Sequence, residues 1–466
     1  MSSTTVTSLT VYPVKSCAGV SVSHATLTET GLRWDRAWMV VEAREKRVSK
    51  RKKKKKGKTL PSMFVSQRVD PNLALVQPEL PSAVLDPTWD GKQYELESEN
   101  PCLTLTLTQV DTTEHKYSQL PLKIPLICAA PLKKRTVQVW DWIGEAGDEG
   151  DDAAIWFSEV LGKPVRLVRW LGVGTLPDSV VQSARGSHMP LHALVTVAVA
   201  RTIAGCGALA AGFIARRGLG RQGGDDANNS SRKKTIGSKA IDVLRDLSFR
   251  LAGASICTRA MGLVERHIIT RFDPGNFVPM RSTEKRYAPN AHACFSDGFP
   301  ILLANENSLA ALNEALTEKG ADEILMNRFR PNVCVGGSGS KTGGNAWAED
   351  RWGKLAIGGN SNGGDTAETN TNGISFDLVK PCSRCVMVTV DQKNPSKGIP
   401  SVKNEPLRTL DETRNGKECG FERVDWGATP FFAWNVVSDS NRVGEAIAVG
   451  DFVAVAQQRT FKERQM

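Results

Sequence analysis

The residues best suited to chemistry in this chain are the two cysteines of the stretch Cys382-Ser383-Arg384-Cys385. A zinc site would need a second pair of Cys or His at similar spacing, and the chain has no other C-x-x-C. A thioredoxin-like dithiol would open a helix, whereas the alternating β-branched Val386, Val388 and Val390 predict a strand that begins at the pair. A thiolate on a rigid strand beside the cation Arg384 suits a transition metal that prefers sulfur.

This cysteine motif resembles the signature of MOSC proteins. The MOSC domain is shared by the mitochondrial amidoxime-reducing component, its bacterial relatives and the C-terminal part of molybdenum-cofactor sulfurases. Four other stretches resemble the family in the same order along the chain: YPVKSCAG at residues 12–19, DRAW at 35–38, FRPN at 329–332 and VGD at 449–451. One such stretch would be weak evidence, but the ordered set identifies the chain as a member, although residues 172–290 are hardly covered.

The resemblance implies a pterin-dithiolene molybdenum cofactor (molybdopterin). Such a cofactor needs one protein sulfur on the metal, cations for its phosphate and hydrogen-bonding groups around the pterin. The resemblance implies that Cys385 is the metal ligand and the catalytic residue. It implies further cofactor contacts at Lys15, Ser16, Arg36, Asp148, Arg330, Asn332 and Ser383.

Each of these residues also has a purely structural interpretation. Lys15 and Ser16 follow Pro13 and could form an ordinary turn at a strand end, while Arg36 beside Asp35 could be a surface ion pair. Cys382 is interpreted as a packed thiol beside the ligand. No ligand role is assigned to the six histidines.

The resemblance implies an oxidoreductase that reduces N-hydroxylated compounds such as amidoximes, hydroxamic acids or hydroxylated nucleobases. The chain has neither a nucleotide fingerprint nor an iron-sulfur spacing, so electrons are expected from a partner such as a cytochrome b5-like protein with its flavin reductase. The alternative is a cofactor carrier or sulfur-transfer module, related to the C-terminal domain of sulfurases that are linked to pyridoxal phosphate.

The net charge of +10 comes from one short segment. Residues 46–58 carry ten Lys and Arg and no acid, so the rest of the chain is neutral overall. The composition favours a solvated polybasic loop at 43–60 over a specific nucleic-acid site. A nuclear-localisation or anionic-surface role for this loop stays open.

Cysteine usage and the N-terminal residues bear on the compartment. The ten cysteines are scattered, which is typical of a reduced intracellular protein, and residues 1–5 show no signal-peptide pattern. We expect a cytoplasmic location and leave a mitochondrial association open. Residues 193–215 are long and apolar enough to cross a bilayer, but Arg201 interrupts them, so a helical insert or unordered sequence is favoured over membrane insertion.

The predicted fold is mostly β with α+β parts. An N-terminal MOSC-type β-barrel domain is predicted over 1–171, an atypical insert or linker over 172–285, and a C-terminal MOSC β-barrel over 286–466. The alternating pattern of Leu103 and Leu105 is typical of barrel strands. Helices are predicted over 153–161 and from an N-cap at Asn305 or Asn307 to a glycine stop at Gly320.

Overall fold

Short strands make up most of the part of the chain that the structure describes. The computed structural model describes residues 4–43, 60–91, 100–108, 119–172, 174–185, 281–337, 346–358, 373–395, 401–420 and 429–459. All of these residues belong to one unit, formed by Met1–Gly186 and Pro279–Met466.

The strands of this unit are, in chain order, β1 (Thr4–Val11), β2 (Val20–Val22), β3 (His24–Thr28), β4 (Gly31–Leu32), β5 (Trp38–Glu42), β6 (Ser62–Met63), β7 (Val76–Glu79), β8 (Cys102–Leu107), β9 (Leu122–Pro125), β10 (Lys133–Val139), β11 (Trp142–Asp148), β12 (Val165–Trp170), β13 (Arg281–Ser282), β14 (His292–Ala293), β15 (Ile301–Asn305), β16 (Val333–Gly337), β17 (Trp352–Ile357), β18 (Ile374–Ser383), β19 (Phe431–Ser438), β20 (Ala446–Ala448) and β21 (Val453–Gln458). The α-helices are α1 (Ser82–Leu85), α2 (Asp151–Leu161), α3 (Asp178–Arg185), α4 (Glu306–Glu318) and α5 (Leu407–Thr413).

The largest sheet has the strand order β2-β1-β16-β15-β19-β18-β17-β21 and curls into a nearly closed barrel. An antiparallel bridge between Thr5 and Phe452 brings β1 back to the start of β21. The interior is filled by side chains that alternate along the strands, among them Leu9, Phe376 and Trp434. Burial of this apolar face is the main stabilising term of the barrel.

The N-terminal region forms a second layer around its own core. A five-stranded sheet has the order β5-β12-β11-β10-β6, and β7-β8-β9 form a three-stranded sheet. The buried core between these elements contains Trp34 and Trp38, with their rings stacked at 6.4 Å, and Phe157 from α2. The predicted mostly β fold is therefore confirmed.

The boundaries of two helices agree with the capping signals in the sequence. Helix α2 has Asp151 and Asp152 in its first turn and stops at Gly162, which adopts φ 60°. Such a left-handed residue at a helix end favours glycine. Helix α4 begins after Asn305, whose side chain accepts a hydrogen bond from the Asn307 amide at 3.0 Å.

The first strand of the chain lies inside the C-terminal barrel. Strand β1 pairs antiparallel with β16, and the Thr10 amide donates to the Asn332 carbonyl at 2.9 Å. This pairing joins segments that are more than 300 residues apart in sequence. It places the turn after β1, with Lys15 and Ser16, beside the loop that contains Arg330.

The prediction of a strand at residues 386–390 is wrong. Strand β18 ends at Ser383, so the cysteine motif closes a strand instead of opening one, and Val386–Thr389 form a 3₁₀ turn. The partner strand β19 supplies the reason, because it begins at Phe431, opposite Ser383, and Pro430 before it bridges to Asn415.

The polybasic segment at 44–59 and most of the predicted insert, including residues 193–215, lie outside the described residues. Within the described ranges, no helix has the length and apolar character needed to span a bilayer.

Candidate active site

The cysteine motif lies at the end of β18, in the wall of a cleft of about 680 Å³. After Ser383 the chain keeps one more link to the neighbouring strand, because the Arg384 amide donates to the Pro430 carbonyl at 2.8 Å. Cys385 then precedes the 3₁₀ turn, and both it and Cys382 line the cleft. A strand end and a tight turn give both thiols rigid backbone support.

A second cavity of about 110 Å³ adjoins this cleft, and the two share Cys382, Arg384 and Asp297. The structure brings together seven of the eight residues for which the sequence predicts a site role. Cys385 and Ser383 line the cleft, and the smaller cavity is lined by Lys15, Ser16, Arg36, Arg330 and Asn332.

One cation contacts the Cys385 sulfur directly. Arg68 Nε lies 3.1 Å from Cys385 Sγ, and Arg68 Nη2 lies 3.6 Å from Asp297 Oδ2. The guanidinium of Arg68 also lies over the Trp140 ring, 4.9 Å from its centroid. A charge-assisted hydrogen bond of this kind stabilises negative charge on the sulfur and fixes its direction.

The cation beside the Cys385 sulfur is therefore not the one that the sequence predicts. The side chain of Arg384 donates to the Phe432 carbonyl from Nε at 2.8 Å and to the Phe329 carbonyl from Nη1 at 3.2 Å. Because backbone carbonyls take these hydrogen bonds, Arg384 stabilises the backbone under the motif, and Arg68 supplies the charge at the sulfur.

An ion pair between buried Lys15 and half-exposed Asp297 joins the cleft to the smaller cavity. Lys15 Nζ lies 2.5 Å from Asp297 Oδ1 and donates to the Phe295 carbonyl at 2.8 Å. Burial lowers the pKa of Lys15 to about 8, although Asp297 acts in the opposite direction. Partial burial would raise the pKa of Asp297, but the charges of Lys15 and Arg68 hold it well below its usual range.

Arg36 is neutralised within the protein. Its Nη1 contacts both carboxylate oxygens of Asp35, at 2.7 and 2.5 Å, and donates to Asn332 Oδ1 at 3.0 Å. The Asn332 amide nitrogen in turn donates to Asp35 Oδ1 at 2.9 Å. The surface-pair interpretation of Arg36 and Asp35 is wrong, because Asp35 is buried and the pair lies in a network that reaches the cavity.

Arg330, by contrast, has no carboxylate partner among the described residues. Its side chain is 5% exposed, and its Nη2 has no hydrogen-bond acceptor within the described structure. Burial lowers the pKa of Arg330 to about 10. The guanidinium groups of Arg330 and Arg36 both lie 4.3 Å from the centroid of the Tyr12 ring. A buried guanidinium with a free donor is costly unless an anion meets it.

Several residues that line the two cavities have a strained backbone conformation. Ser16, Arg36 and Arg330 adopt φ values of 69°, 48° and 57°, and Trp140 in the cleft wall adopts 53°. Left-handed backbone is unfavourable for residues with a Cβ atom and is concentrated at functional sites. Three of the sequence-predicted cofactor contacts share this strain.

The structure does not bring Asp148 to the other predicted residues. Its carboxylate lies 3.0 Å from Arg135 Nε and 2.6 Å from Arg166 Nε, and it accepts from the Gly150 amide at 3.1 Å. Asp148 lines neither cavity. The carboxylate that faces both cavities is Asp297.

Sequence reasoning missed Arg68, Asp297 and Arg281. Arg281 donates to the carbonyls of Cys294, Ser296 and Asp297, so it fixes the loop that presents Asp297. Asp297 lies outside the five stretches that carry the resemblance, so the sequence predicts no role for its charge. Arg68 gave no local signal, because its partner Cys385 is 317 residues away.

In the described part of the chain, no group of three or more His, Cys, Asp and Glu is arranged to hold a metal ion. His188 and His192 are four positions apart, a spacing that can hold a metal ion on a helix, and both lie outside the described residues.

Two family matches cover most of the described residues. Residues 3–164 match the MOSC N-terminal beta barrel domain, and residues 290–454 match the MOSC domain. The chain belongs to the MOSC family. The order of the matches agrees with the N-terminal layer and the C-terminal barrel of the structure, and both walls of the candidate site come from matched segments.

This MOSC protein is similar to two groups of curated proteins. It is 32% identical to "Mitochondrial amidoxime-reducing component 1" of Homo sapiens over 173 residues, which cover 37% of this chain and 41% of the relative. It is 23% identical to "Molybdenum cofactor sulfurase" of Danio rerio over 419 residues, which cover 89% of this chain and 31% of the relative. The chain therefore spans less than half the length of either relative.

A solution structure of a protein from Bordetella bronchiseptica aligns with 31% of this MOSC chain and 83% of its own, with 18% identity and a TM-score of 0.18. That likeness is too weak to bear on the site.

Proposed function

We propose that this protein is a molybdenum-cofactor-dependent oxidoreductase that reduces N-hydroxylated compounds of the amidoxime or hydroxylamine type. The observation that carries the proposal is the position of the Cys385 sulfur. It lies in an open cleft, in contact with Arg68, and next to a cavity lined by buried cations.

The residues present fit a cofactor that carries phosphate. Lys15, Arg36, Arg330 and Arg384 line the smaller cavity, against Asp297 as its carboxylate. Arg330 Nη2 has no acceptor in the described structure, so a phosphate oxygen would satisfy a donor that is otherwise unpaired. Lys15, Ser16, Arg36 and Arg330 would hold the phosphate end, Asn332 and Ser383 would hold the pterin, and Cys385 would supply sulfur to the metal.

When bound, the cofactor supplies two-electron chemistry that accepts oxygen from the substrate. Reduction of an N-hydroxyl group consumes two electrons and two protons, breaks the N–O bond, and releases an N–H compound and water. The chain's own residues position these groups. Arg68 directs the Cys385 sulfur, Asp297 holds Arg68 from the other side, and the 680 Å³ cleft admits a small substrate.

Electrons are proposed to come from a partner protein. A cytochrome b5-like donor with its flavin reductase suits the one-electron steps that a buried metal centre can accept in sequence.

A second candidate function, cofactor carriage or sulfur transfer, is favoured by the extent of the sulfurase match. The sulfurase of Danio rerio matches 89% of this chain, whereas the human amidoxime-reducing component matches 37%. A cofactor carrier or sulfur-transfer module would use the same cavity but would need Cys385 only to receive or hold the cofactor.

One experiment distinguishes these functions. Purified protein is assayed for molybdenum and pterin, and then for benzamidoxime reduction with NADH, cytochrome b5 and its reductase. Turnover that is lost in Cys385→Ala supports the oxidoreductase. A loaded protein that reduces no N-hydroxylated compound, but passes its cofactor to an apo-enzyme, contradicts the oxidoreductase and supports the carrier.

A further inference from the structure

Trp140 occupies an unusual position for a tryptophan. It is the first residue of the two-residue turn between β10 and β11, in which Val139 pairs with Trp142. Its φ of 53° lies in the left-handed region. Hairpin turns of this length favour Asn, Asp or Gly at such a position, because a bulky side chain is strained there. Backbone strain of this kind is concentrated at functional sites, so the Trp140 side chain is a candidate for a functional role.

The indole is held in place, yet it remains accessible. Its Nε1 lies 3.1 Å from Asp297 Oδ1, its ring lies 5.3 Å from the Phe64 ring in an edge arrangement, and Arg68 lies over it at 4.9 Å. Despite these three contacts, Trp140 is 45% exposed, and it lines the same cleft as Cys385. A fixed aromatic surface therefore faces the space where a substrate would lie.

One side chain sets the distance from this surface to the sulfur. Arg68 contacts Cys385 Sγ through Nε and the Trp140 ring through its central carbon. Because a C–N bond with partial double-bond character is ~1.3 Å long, the sulfur and the ring centroid are at most about 9 Å apart. Because Arg68 lies over one face of the indole, a substrate ring would stack on the other face, within the cleft that Trp140 and Cys385 both line.

The charge over the indole restricts the substrate further. Arg68 already places a cation on the Trp140 ring, so a second cation on the same platform would be repelled. A neutral planar ring gains stacking contact without this cost.

We propose that Trp140 is a specificity-determining residue that stacks against the ring of neutral aromatic N-hydroxylated substrates, such as aromatic amidoximes. This inference rests on the proposed function and names the substrate class of that site. Trp140 binds the part of the substrate that does not react, and the N-hydroxyl end lies towards Cys385.

The test compares benzamidoxime with acetamidoxime, which has the same reacting group and no ring. In Trp140→Ala the kcat/KM for benzamidoxime should fall about tenfold more than that for acetamidoxime, which reports any effect of the lost Arg68 and Asp297 contacts on the reacting end. Trp140→Phe keeps a ring but lacks Nε1, and it should retain benzamidoxime activity within about threefold of the wild type. Ile143→Ala, an exposed position on the same hairpin, is the matched control and should change neither substrate.

Three results would overturn the proposal. Equal losses of kcat/KM for both substrates in Trp140→Ala would show a structural role. Wild-type kcat/KM for both substrates in this variant would show that Trp140 has no role. Loss in Trp140→Phe as large as in Trp140→Ala would assign the effect to the Nε1 contact with Asp297.

The binding of both oximes to the oxidised protein, measured by calorimetry without an electron donor, separates this proposal from the proposed function. If neither oxime is reduced, the proposed function fails. A calorimetric preference for benzamidoxime that Trp140→Ala removes would still support the aromatic platform, and the same affinity for both oximes would overturn it.

Discussion

Arg68 Nε and Cys385 Sγ lie 3.1 Å apart, although 317 residues separate them in sequence. Arg68 belongs to the segment that matches the N-terminal domain, and Cys385 belongs to the segment that matches the MOSC domain. The proposed chemistry at the cysteine would therefore depend on a residue from the other matched segment.

We expect Arg68→Met to lower kcat/KM for an N-hydroxylated substrate about 10- to 100-fold, because it removes a hydrogen bond to the sulfur proposed to bind the metal. Arg68→Lys keeps the charge but loses the planar donor geometry, so it should recover part of the activity. The absorption bands of the loaded protein report the effect on the sulfur itself. Unchanged bands and activity in Arg68→Met would show that the contact has no role.

The two motif cysteines should differ in their effects. Cys385→Ala removes the proposed metal ligand, so turnover should vanish while the phosphate contacts through Lys15 and Arg330 still retain some cofactor. Cys382→Ala should be milder, with a loss of about 10- to 100-fold at most. The measurements are turnover and molybdenum per chain. Equal abolition by both substitutions would indicate a dithiol mechanism, and activity in Cys385→Ala would remove the central role of this residue.

Retention of the phosphate-bearing cofactor should depend on pH through Lys15. Burial lowers the pKa of Lys15 to about 8, so the side chain is charged below that pH and loses its proton above it. Cofactor retention on gel filtration should therefore fall between pH 7 and pH 9, within about one unit of this pKa. Lys15→Arg should retain cofactor through this range, because arginine keeps its proton. Identical profiles for the two proteins would contradict a phosphate contact at Lys15.

Glu349 predicts a pH dependence of stability that is independent of the cofactor. It is buried and accepts from Asn305 Nδ2 at 2.9 Å and Ser308 Oγ at 2.7 Å. Burial raises the pKa of Glu349 to about 7, with Asp350 adding to the effect. The folded state therefore keeps this proton to a higher pH than the unfolded chain, and the free energy of unfolding should fall as pH rises from about 4.5 to about 7.

Glu349→Gln mimics the protonated acid and should lack this fall. Relative to the variant, the wild type should lose about 3 kcal/mol across that interval in urea unfolding. Parallel plots of unfolding free energy against pH for the two proteins would show that Glu349 has the same pKa in the folded and unfolded states.

The sequence predicted the parts of the site that come in recognisable stretches. Lys15, Arg36 and Arg330 lie in short motifs, and the pairing of β1 with β16 brings those motifs together as expected for one cavity. Helix α2 and helix α4 were predictable because caps and glycine stops act locally.

The errors have a common physical cause, which is that the deciding partner is distant in sequence. Val388 and Val390 are buried as a strand pattern requires, but among the described residues no neighbouring strand extends far enough to pair with them. Arg384 is adjacent to Cys385 in sequence, yet the carbonyls of Phe432 and Phe329 take its hydrogen bonds. Only the tertiary fold determines which cation reaches the sulfur.

The place of β1 within the barrel has a consequence for how this architecture can be divided. Strand β1 lies between β2 and β16, and its N-terminal half bridges to Phe452. A fragment that starts near residue 290 would leave the edge of β16 with unpaired amides and carbonyls, a surface prone to association with other chains. It would also lack Lys15 and Arg36. The two matched domains are thus separable as sequence families but not as independently transplantable modules, and a graft of this chemistry onto another protein would have to carry both.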